Sequence, residues 1–572
     1  MIDGAIESAS RAHRAWRVAV LFVALTIVLT HPLAFRAGST VIGADPDTEL
    51  FMWTLVWDTH ALTHRPLAIF DANIFYPYAR TLAYSENLIG SGLLAAPVLW
   101  VTGNPVLALN LVTLLSIVLC GAGAYVLARR VGVGYAGALV AGLVFAFSPA
   151  RFFRISQLHL TTVQWMPFAL ASLHAYLDGG RARDLRWAVA FFTLQALTSG
   201  HGAVFLLVAT LALLAYRAAL GQPLALKSRV RDLGVTGALL LAPAVLVILP
   251  YRHVQVEMGL RRGLENWAPT AESFLASPTH VQTFLLSLVP GWRVNEHASA
   301  ILFPGFLPIL LAVLAFAHRP RKVSAPAARP RALRDTLQPW ASALRQDPAV
   351  FYALLTLGAV LLAAGPPLGL WPFVYWLPGM NFIRVPSRFM ILAVLGLAVL
   401  AGVGFDRAMK SIAPQRHRLL VLITMALLVV EFTAIPFGVV PYQVKRPAVD
   451  RWLDGQPKPF SIAEVPVLPN ERYQTAYMLH SMAHWQRTVH GYSGMRPPLH
   501  DLLYTQLTRF PDVDSLKSLA ELHVTYIVVH IDEYPPGEWP AIEARIGQYE
   551  TWLALVYQSR DARVYSLRRG GQ

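Results

Sequence analysis

Near the start of the chain two carboxylates bracket a proline, in Ile42-Gly-Ala-Asp45-Pro-Asp47-Thr-Glu49, with Trp53 and Trp57-Asp58 following. The pair lies just past an apolar segment and just ahead of an amphipathic, aromatic one that can rest in a membrane interface. A carboxylate so placed can accept a proton from an acceptor hydroxyl, or hold a divalent cation against a lipid phosphate. The duller alternative is a solvated loop in which Asp-Pro-Asp starts the next helix as an N-cap. On spacing alone the cap is slightly favoured.

Three further stretches carry chemistry. In Ser148-Pro-Ala-Arg151-Phe-Phe-Arg154-Ile-Ser-Gln157-Leu-His159 the two arginines are three apart and share a helical face. They can clamp a phosphate, with His159 and Gln164 adding hydrogen-bonding groups, or simply contact lipid headgroups. In Asn381-Phe-Ile-Arg384-Val-Pro386-Ser387-Arg388-Phe389 the proline disfavours helix at Val385 and opens the next helix at its first turn. Free amides at a helix start beside Arg384 and Arg388 make an anion site, and a bilayer anchor does not need a proline-fixed turn. The third, His490-Gly-Tyr492-Ser-Gly494, supplies turn glycines and an aromatic that can reach the site. His201, in Ser199-Gly-His201-Gly202, reads as a tight-turn residue rather than a ligand.

These residues must be positioned by a membrane protein. Of 572 residues 55% are hydrophobic and 14% charged, and mean hydropathy is +0.46. Repeated apolar segments are long enough to cross about 30 Å of hydrocarbon. A soluble nucleic-acid binder is excluded despite the net charge of +15. Eleven spans are expected, at about 18–30, 105–128, 133–149, 162–177, 187–200, 202–216, 233–250, 299–317, 349–364, 388–405 and 419–440. The segment 87–103 is broken by Gly90, Gly92, Pro97 and Gly103 and reads as re-entrant or interfacial. The first apolar stretch exceeds a signal peptide's apolar core and reads as a retained helix. With this map 23 basic residues fall in cytoplasmic segments against 11 in outward loops of the membrane part, which places the N-terminus inside. The segment 319–347, rich in proline, alanine and arginine, reads as a disordered or surface-lying cytoplasmic loop.

The expected fold is an α-helical polytopic membrane domain, residues 1–440, followed by a small extracytoplasmic α/β domain, residues 441–572. Strands are expected at Phe460–Val467, Val524–His530 and Ala562–Leu567, with a helix at 514–522. Gly132-Val-Gly134-Tyr-Ala-Gly137 matches a dinucleotide pattern, but it follows a membrane span, so small-residue helix packing is the better reading. No GxxxxGK[ST], HExxH or GxSxG occurs. The single cysteine, Cys120, permits neither an intrachain disulfide nor a cysteine-based zinc site.

The acidic first loop with Trp53 and Trp57, Asn73-Ile-Phe75-Tyr-Pro77, His159 to Pro167, Arg384 to Phe389 and His490 to Gly494 together resemble the YfhO-type and family 39 members of the GT-C glycosyltransferase superfamily, over nearly the whole chain. The resemblance implies an enzyme that takes a sugar from a polyprenyl-phosphate donor at the outer face of the cytoplasmic membrane. It implies an aspartate base in the first outer loop, which maps best to Asp47, with Asp45 the alternative. The superfamily's second acidic site has no counterpart, since residues 150–164 contain no Asp or Glu. That departure favours arginine-assisted chemistry without a metal, a divalent cation being the less favoured alternative, and no cofactor is assigned. The expected roles are donor-phosphate binding by Arg384, Arg388, Arg151 and Arg154, and substrate contact by His159, Gln164, Glu86 and Tyr492. The expected partners are a polyprenyl-phosphate-linked sugar, membrane lipids and an envelope acceptor, with no nucleic acid. The alternatives from other classes are a transporter or flippase of lipid-linked sugars and a non-catalytic envelope scaffold.

Overall fold

The computed structural model describes residues 2–221, 230–259, 268–289, 291, 293–317, 347–366, 369–377, 380–468 and 471–568. The arginine-rich loop 319–347 lies outside the described residues except for Asp347. Each expected span contains an α-helix: Ile2–Leu29, Pro105–Arg130, Tyr135–Phe147, Trp165–Gly179, Ala182–Thr198, Gly200–Ala219, Val230–Glu257, Phe306–Ala317, Pro348–Ala363, Met390–Lys410 and His417–Phe432. Among the described residues four helical segments are long and apolar enough to cross a membrane by length and composition: Pro105–Arg130, Gly200–Ala219, Val230–Glu257 and Pro386–Lys410. The span expected from residue 299 begins as helix only at Phe306. Pro304 brings no amide, Gly305 has φ +110°, and the Glu431 carboxylate takes the amides of Phe306 and Leu307.

The chain forms two compact units. The first comprises Met1–Phe35, Val112–Leu246 and Arg261–Gly438. Its centre is the helix Met390–Lys410, buried on nearly every face and packed by Tyr135–Phe147, Phe306–Ala317 and Pro348–Ala363. Small residues permit that depth. A Cβ on Gly402 would lie 2.6 Å from the carbonyl oxygen of Gly137, so the helices touch backbone to backbone at the last glycine of the GxGxxG match.

The second unit comprises Arg36–Leu111, Val247–Leu260 and Val439–Gln572. It therefore begins its last segment close to the expected boundary at 440, but it also takes in residues 36–86, the expected first outer loop. Its longest helix lying wholly within the unit, Pro46–His64, differs from the amphipathic interfacial helix expected there. Trp53 and Trp57 are buried and stack at 5.9 Å, and the helix packs against Ile89–Thr102 and Glu471–His480, so its aromatics face protein rather than headgroups. Ile89–Thr102 is a continuous 14-residue helix, about 21 Å long, short of the roughly 30 Å hydrocarbon thickness.

Strands β1 (Thr40–Val41) and β2 (Val440–Pro441) pair antiparallel within this unit. The C-terminal segment adds β3 (Ser461–Val465), β4 (Arg487–Thr488), β5 (Tyr526–His530), β6 (Leu553–Gln558) and β7 (Ala562–Leu567), in the order β4-β3-β5-β7-β6. β3 is parallel to both neighbours, whereas β5, β7 and β6 run antiparallel. All five residues of β3 are buried because both faces are covered. Ala463, Val465, Ile527 and Val529 face one core, and Ile462, Val528 and Val564 face another, closed by Val449 and Leu453 of the helix Ala448–Asp454. The helix expected at 514–522 is Val513–Glu521, started by an Asp512–Ser515 capping box.

Candidate active site

The two aspartates of the first loop have separate roles. Asp45 is the N-cap of Pro46–His64: its backbone is extended, its carboxylate accepts from the Thr48 amide at 2.8 Å, and Pro46 takes the first helical position. Asp47, half-buried on the first turn, accepts a hydrogen bond from the Tyr492 hydroxyl at 2.9 Å. Glu49 is 3% exposed and accepts from the Tyr442 hydroxyl at 2.6 Å and from the Thr475 hydroxyl. Capping therefore falls to Asp45 and anchoring to Glu49, which leaves Asp47 as the half-buried carboxylate beside a phenol.

Tyr492 is placed by backbone pairing between two segments far apart in sequence. The Phe75 amide donates to His490 O at 3.1 Å, the Tyr76 amide to Thr488 O at 2.9 Å, and the Thr488 amide to Asn73 O at 2.8 Å. Gly491 is required at this crossing, because a Cβ there would lie 2.7 Å from the Phe75 ring. The stretches Asn73–Pro77 and His490–Gly494 thus form one element of structure, and Tyr492 leaves it toward Asp47. Glu86 lies half-buried beyond Ser85, whose carbonyl accepts from Tyr251 at 2.9 Å.

Asp58 is fully buried, and neither carboxyl oxygen has a hydrogen-bond partner among the described residues. A Cβ on Gly92 would lie 2.7 Å from its Cβ, so Asp58 fills the space a larger residue would need. Burial holds its carboxyl well above the usual carboxylate range. Its neighbours in sequence gave no sign of this, since Asp58 stands among the acidic residues of an apparently solvated loop.

In the first unit Val385 is extended, Pro386 opens a 3-10 turn to Phe389, and Met390 continues as α-helix. Arg388 on that turn donates through Nη1 to His201 Nε2 at 2.7 Å, which makes that nitrogen an acceptor and the imidazole neutral. The His201 ring centre lies 5.2 Å from that of His159. His201 sits in the first turn of Gly200–Ala219, whose cap Ser199 accepts from the Gly202 amide. It is thus joined to a proposed site arginine, a pairing that a span of 187 residues conceals. Arg384 is exposed.

Arg154 is half-buried, with one guanidinium nitrogen, Nη2, lacking a partner among the described residues. Burial lowers it to about 10, which still leaves it charged at neutral pH. Arg151, expected beside it on a phosphate, is instead 2% exposed and directed inward. It donates to Ala146 O at 2.8 Å, Thr161 O at 3.0 Å and the Cys120 sulfur at 2.8 Å, and lies over the Phe145 ring. It ties the loop to the helices on either side. The fully buried Gln164 accepts from Ser116 at 2.8 Å through Oε1.

Over 98% of its length the chain superposes on the arabinofuranosyltransferase AftD from Mycobacteria, with a TM-score of 0.59 and 14% identity. The match covers 40% of AftD, so the chain spans less than half of that protein. Two structures of ArnT from Cupriavidus metallidurans, apo and bound to undecaprenyl phosphate, superpose with TM-scores of 0.39 and 0.40 at 15% and 13% identity. They cover 98% and 97% of this chain and 100% and 99% of theirs. Of these, the AftD likeness establishes the fold. Neither a family model nor a curated protein sequence matches the chain.

Proposed function

We propose that this chain, which has the fold of the GT-C membrane glycosyltransferases, transfers a sugar with inversion from a polyprenyl-phosphate donor to a cell-envelope acceptor at the outer face of the cytoplasmic membrane. The observation that carries the reading is the setting of Asp47. It is a carboxylate released from capping by Asp45, half-buried, and oriented by the Tyr492 hydroxyl at 2.9 Å. AftD, the neighbour on which the fold rests, is itself a glycosyltransferase.

In this reading Asp47 takes the proton of an acceptor hydroxyl as its oxygen attacks the anomeric carbon. The bond from that carbon to the phosphate oxygen breaks on the opposite face, and polyprenyl phosphate leaves with an added negative charge. Binding of the donor phosphate is assigned to Arg388, Arg384 and Arg154 of the first unit, where neutral His201 accepts from Arg388. Tyr492 is a positioning residue. The N-terminus is cytoplasmic and the C-terminal segment outside, a reading supported by the excess of basic residues in the segments taken as cytoplasmic.

Purified chain in nanodiscs, given radiolabelled polyprenyl-phosphate sugars and an envelope extract, should yield labelled polymer or glycolipid. Movement of the labelled lipid across liposomes without any glycosylated product would replace the reading with transport.

A further inference from the structure

Several buried carboxyl oxygens of the second unit have no hydrogen-bond partner among the described residues. Side chains alternate along a strand, so Ile462 and Glu464 of β3 face the same way as Val528 and His530 of β5, toward the helix Ala448–Asp454. Glu464 is fully buried. Its Oε2 accepts from His530 Nε2 at 2.7 Å and meets His480 Nδ1 at 3.4 Å, while its Oε1 has no partner among the described residues. From the covering helix comes Asp450, 1% exposed, with both carboxyl oxygens likewise unpartnered. The charges of His480 and Glu464 act on it.

Among the described residues three buried acceptor atoms therefore have no hydrogen-bond partner. A cation answers the one on Glu464. One ligand atom from each of Glu464, His480 and His530 lies within 4.8 Å of the others, and a tetrahedral zinc ion with bonds near 2.0–2.1 Å needs them about 3.3–3.4 Å apart.

The geometry points to a structural site for one borderline dication of the zinc class, held by His480 Nδ1, His530 Nε2 and the Glu464 carboxylate. Two imidazoles and one carboxylate suit zinc better than calcium or magnesium, which prefer oxygen alone. The supporting residues are in place. His490 Nε2 accepts from the Glu464 amide at 2.7 Å and its Nδ1 meets Gln474 at 2.8 Å, which fixes β3. Tyr477 stacks on His530, with ring centres 5.2 Å apart. A cavity of about 1220 Å³, lined in part by His480, His530 and Asp532, provides entry. Held by β3, β5 and the helix Glu471–His480, the ion joins the sheet to that helix and has no part in sugar transfer, so the site stands independently of the proposed function.

The test uses the full chain, purified in detergent without a polyhistidine tag. About one equivalent of zinc should bind, and Co2+ in its place should give the visible absorption of a tetrahedral site. His530→Gln keeps a side-chain donor toward Glu464, so a plain hydrogen-bonded network survives it, while the metal site loses a ligand. In His530→Gln and in His480→Gln, zinc affinity should fall at least about 10-fold. A chelator should lower the Tm of the wild type and leave that of His530→Gln unchanged. Absence of zinc and cobalt binding in the folded chain, or equal affinity in wild type and both variants, would overturn the site.

Discussion

Glu49 lies two residues from the proposed base, yet its substitution is expected to affect stability. Its carboxylate is 3% exposed and accepts from Tyr442 at 2.6 Å and from Thr475, so it fastens the helix Pro46–His64 to residues near 442 and 475. A buried hydrogen bond to a charged group contributes about 1.5–3 kcal/mol. Glutamine keeps one acceptor oxygen and turns an amide donor toward the other hydroxyl, which must rotate and accept. Glu49→Gln should therefore cost about 1.5–3 kcal/mol. Tyr442→Phe should cost about 1.5 kcal/mol, near the lower limit because the phenol is half-buried. The double variant should lose less than the sum by about 1 kcal/mol or more, since the two changes remove one shared bond. At about 2–4 °C per kcal/mol for a folding unit of this size, Glu49→Gln lowers Tm by roughly 3–12 °C. Tryptophan fluorescence during heating reports the event, because Trp53 and Trp57 stack on the same helix. A Tm within 1 °C of wild type, or a fully additive cycle, would refute the anchoring role.

Three other outcomes follow from the geometry. Asp58 is held well above the usual carboxylate range by burial, so the stability of its neutral form is present below the unfolded value near 3.8 and is lost as pH rises through the folded value. Asp58→Asn mimics the neutral form and should raise Tm at high pH, with the gain shrinking on acidification; a gain independent of pH contradicts this. Arg388→Lys keeps charge but removes the planar fork that meets His201, so donor-lipid affinity in nanodiscs should fall well beyond any change in Tm, with Arg384→Lys less affected; unchanged affinity in both returns these arginines to headgroup contact. In a Cys120→Ser background, Glu543→Cys on an exposed helical position should react with an impermeant thiol reagent on intact cells, and labelling only after permeabilisation would invert the topology.

What could be read from sequence was whatever a local pattern determines. Apolar runs marked the long helices, because a bilayer demands uninterrupted apolar helix, and four of these are long enough to cross one among the described residues. Alternation marked β3, β5 and β7, and the cap at Asp45 followed from its proline. The span expected from residue 299 started late because its cap, Glu431, is supplied by a helix more than a hundred residues away. Partners brought by tertiary structure were not legible. Nothing near Asp47 indicates Tyr492, and nothing near Arg388 indicates His201. Arg151 and Arg154, alike in sequence, diverge because the chain turns between them and sends Arg151 under the helix ends. Trp53 and Trp57 suggested a headgroup belt, since an aromatic destined for protein and one destined for an interface are the same residue in one dimension. The Glu464, His480 and His530 group is assembled from two strands and a helix at spacings of 16 and 50 residues, which match no motif.

The central claim is most directly tested by the rate of sugar transfer from a labelled polyprenyl-phosphate donor in Asp47→Asn beside wild type and Tyr492→Phe, each checked for unchanged Tm. Asparagine preserves the shape of the side chain and its bond to Tyr492 but cannot take a proton, so transfer should fall by at least about 100-fold. Tyr492→Phe, which removes only the orienting bond, should fall about 10-fold. Transfer by Asp47→Asn at the wild-type rate would contradict the account.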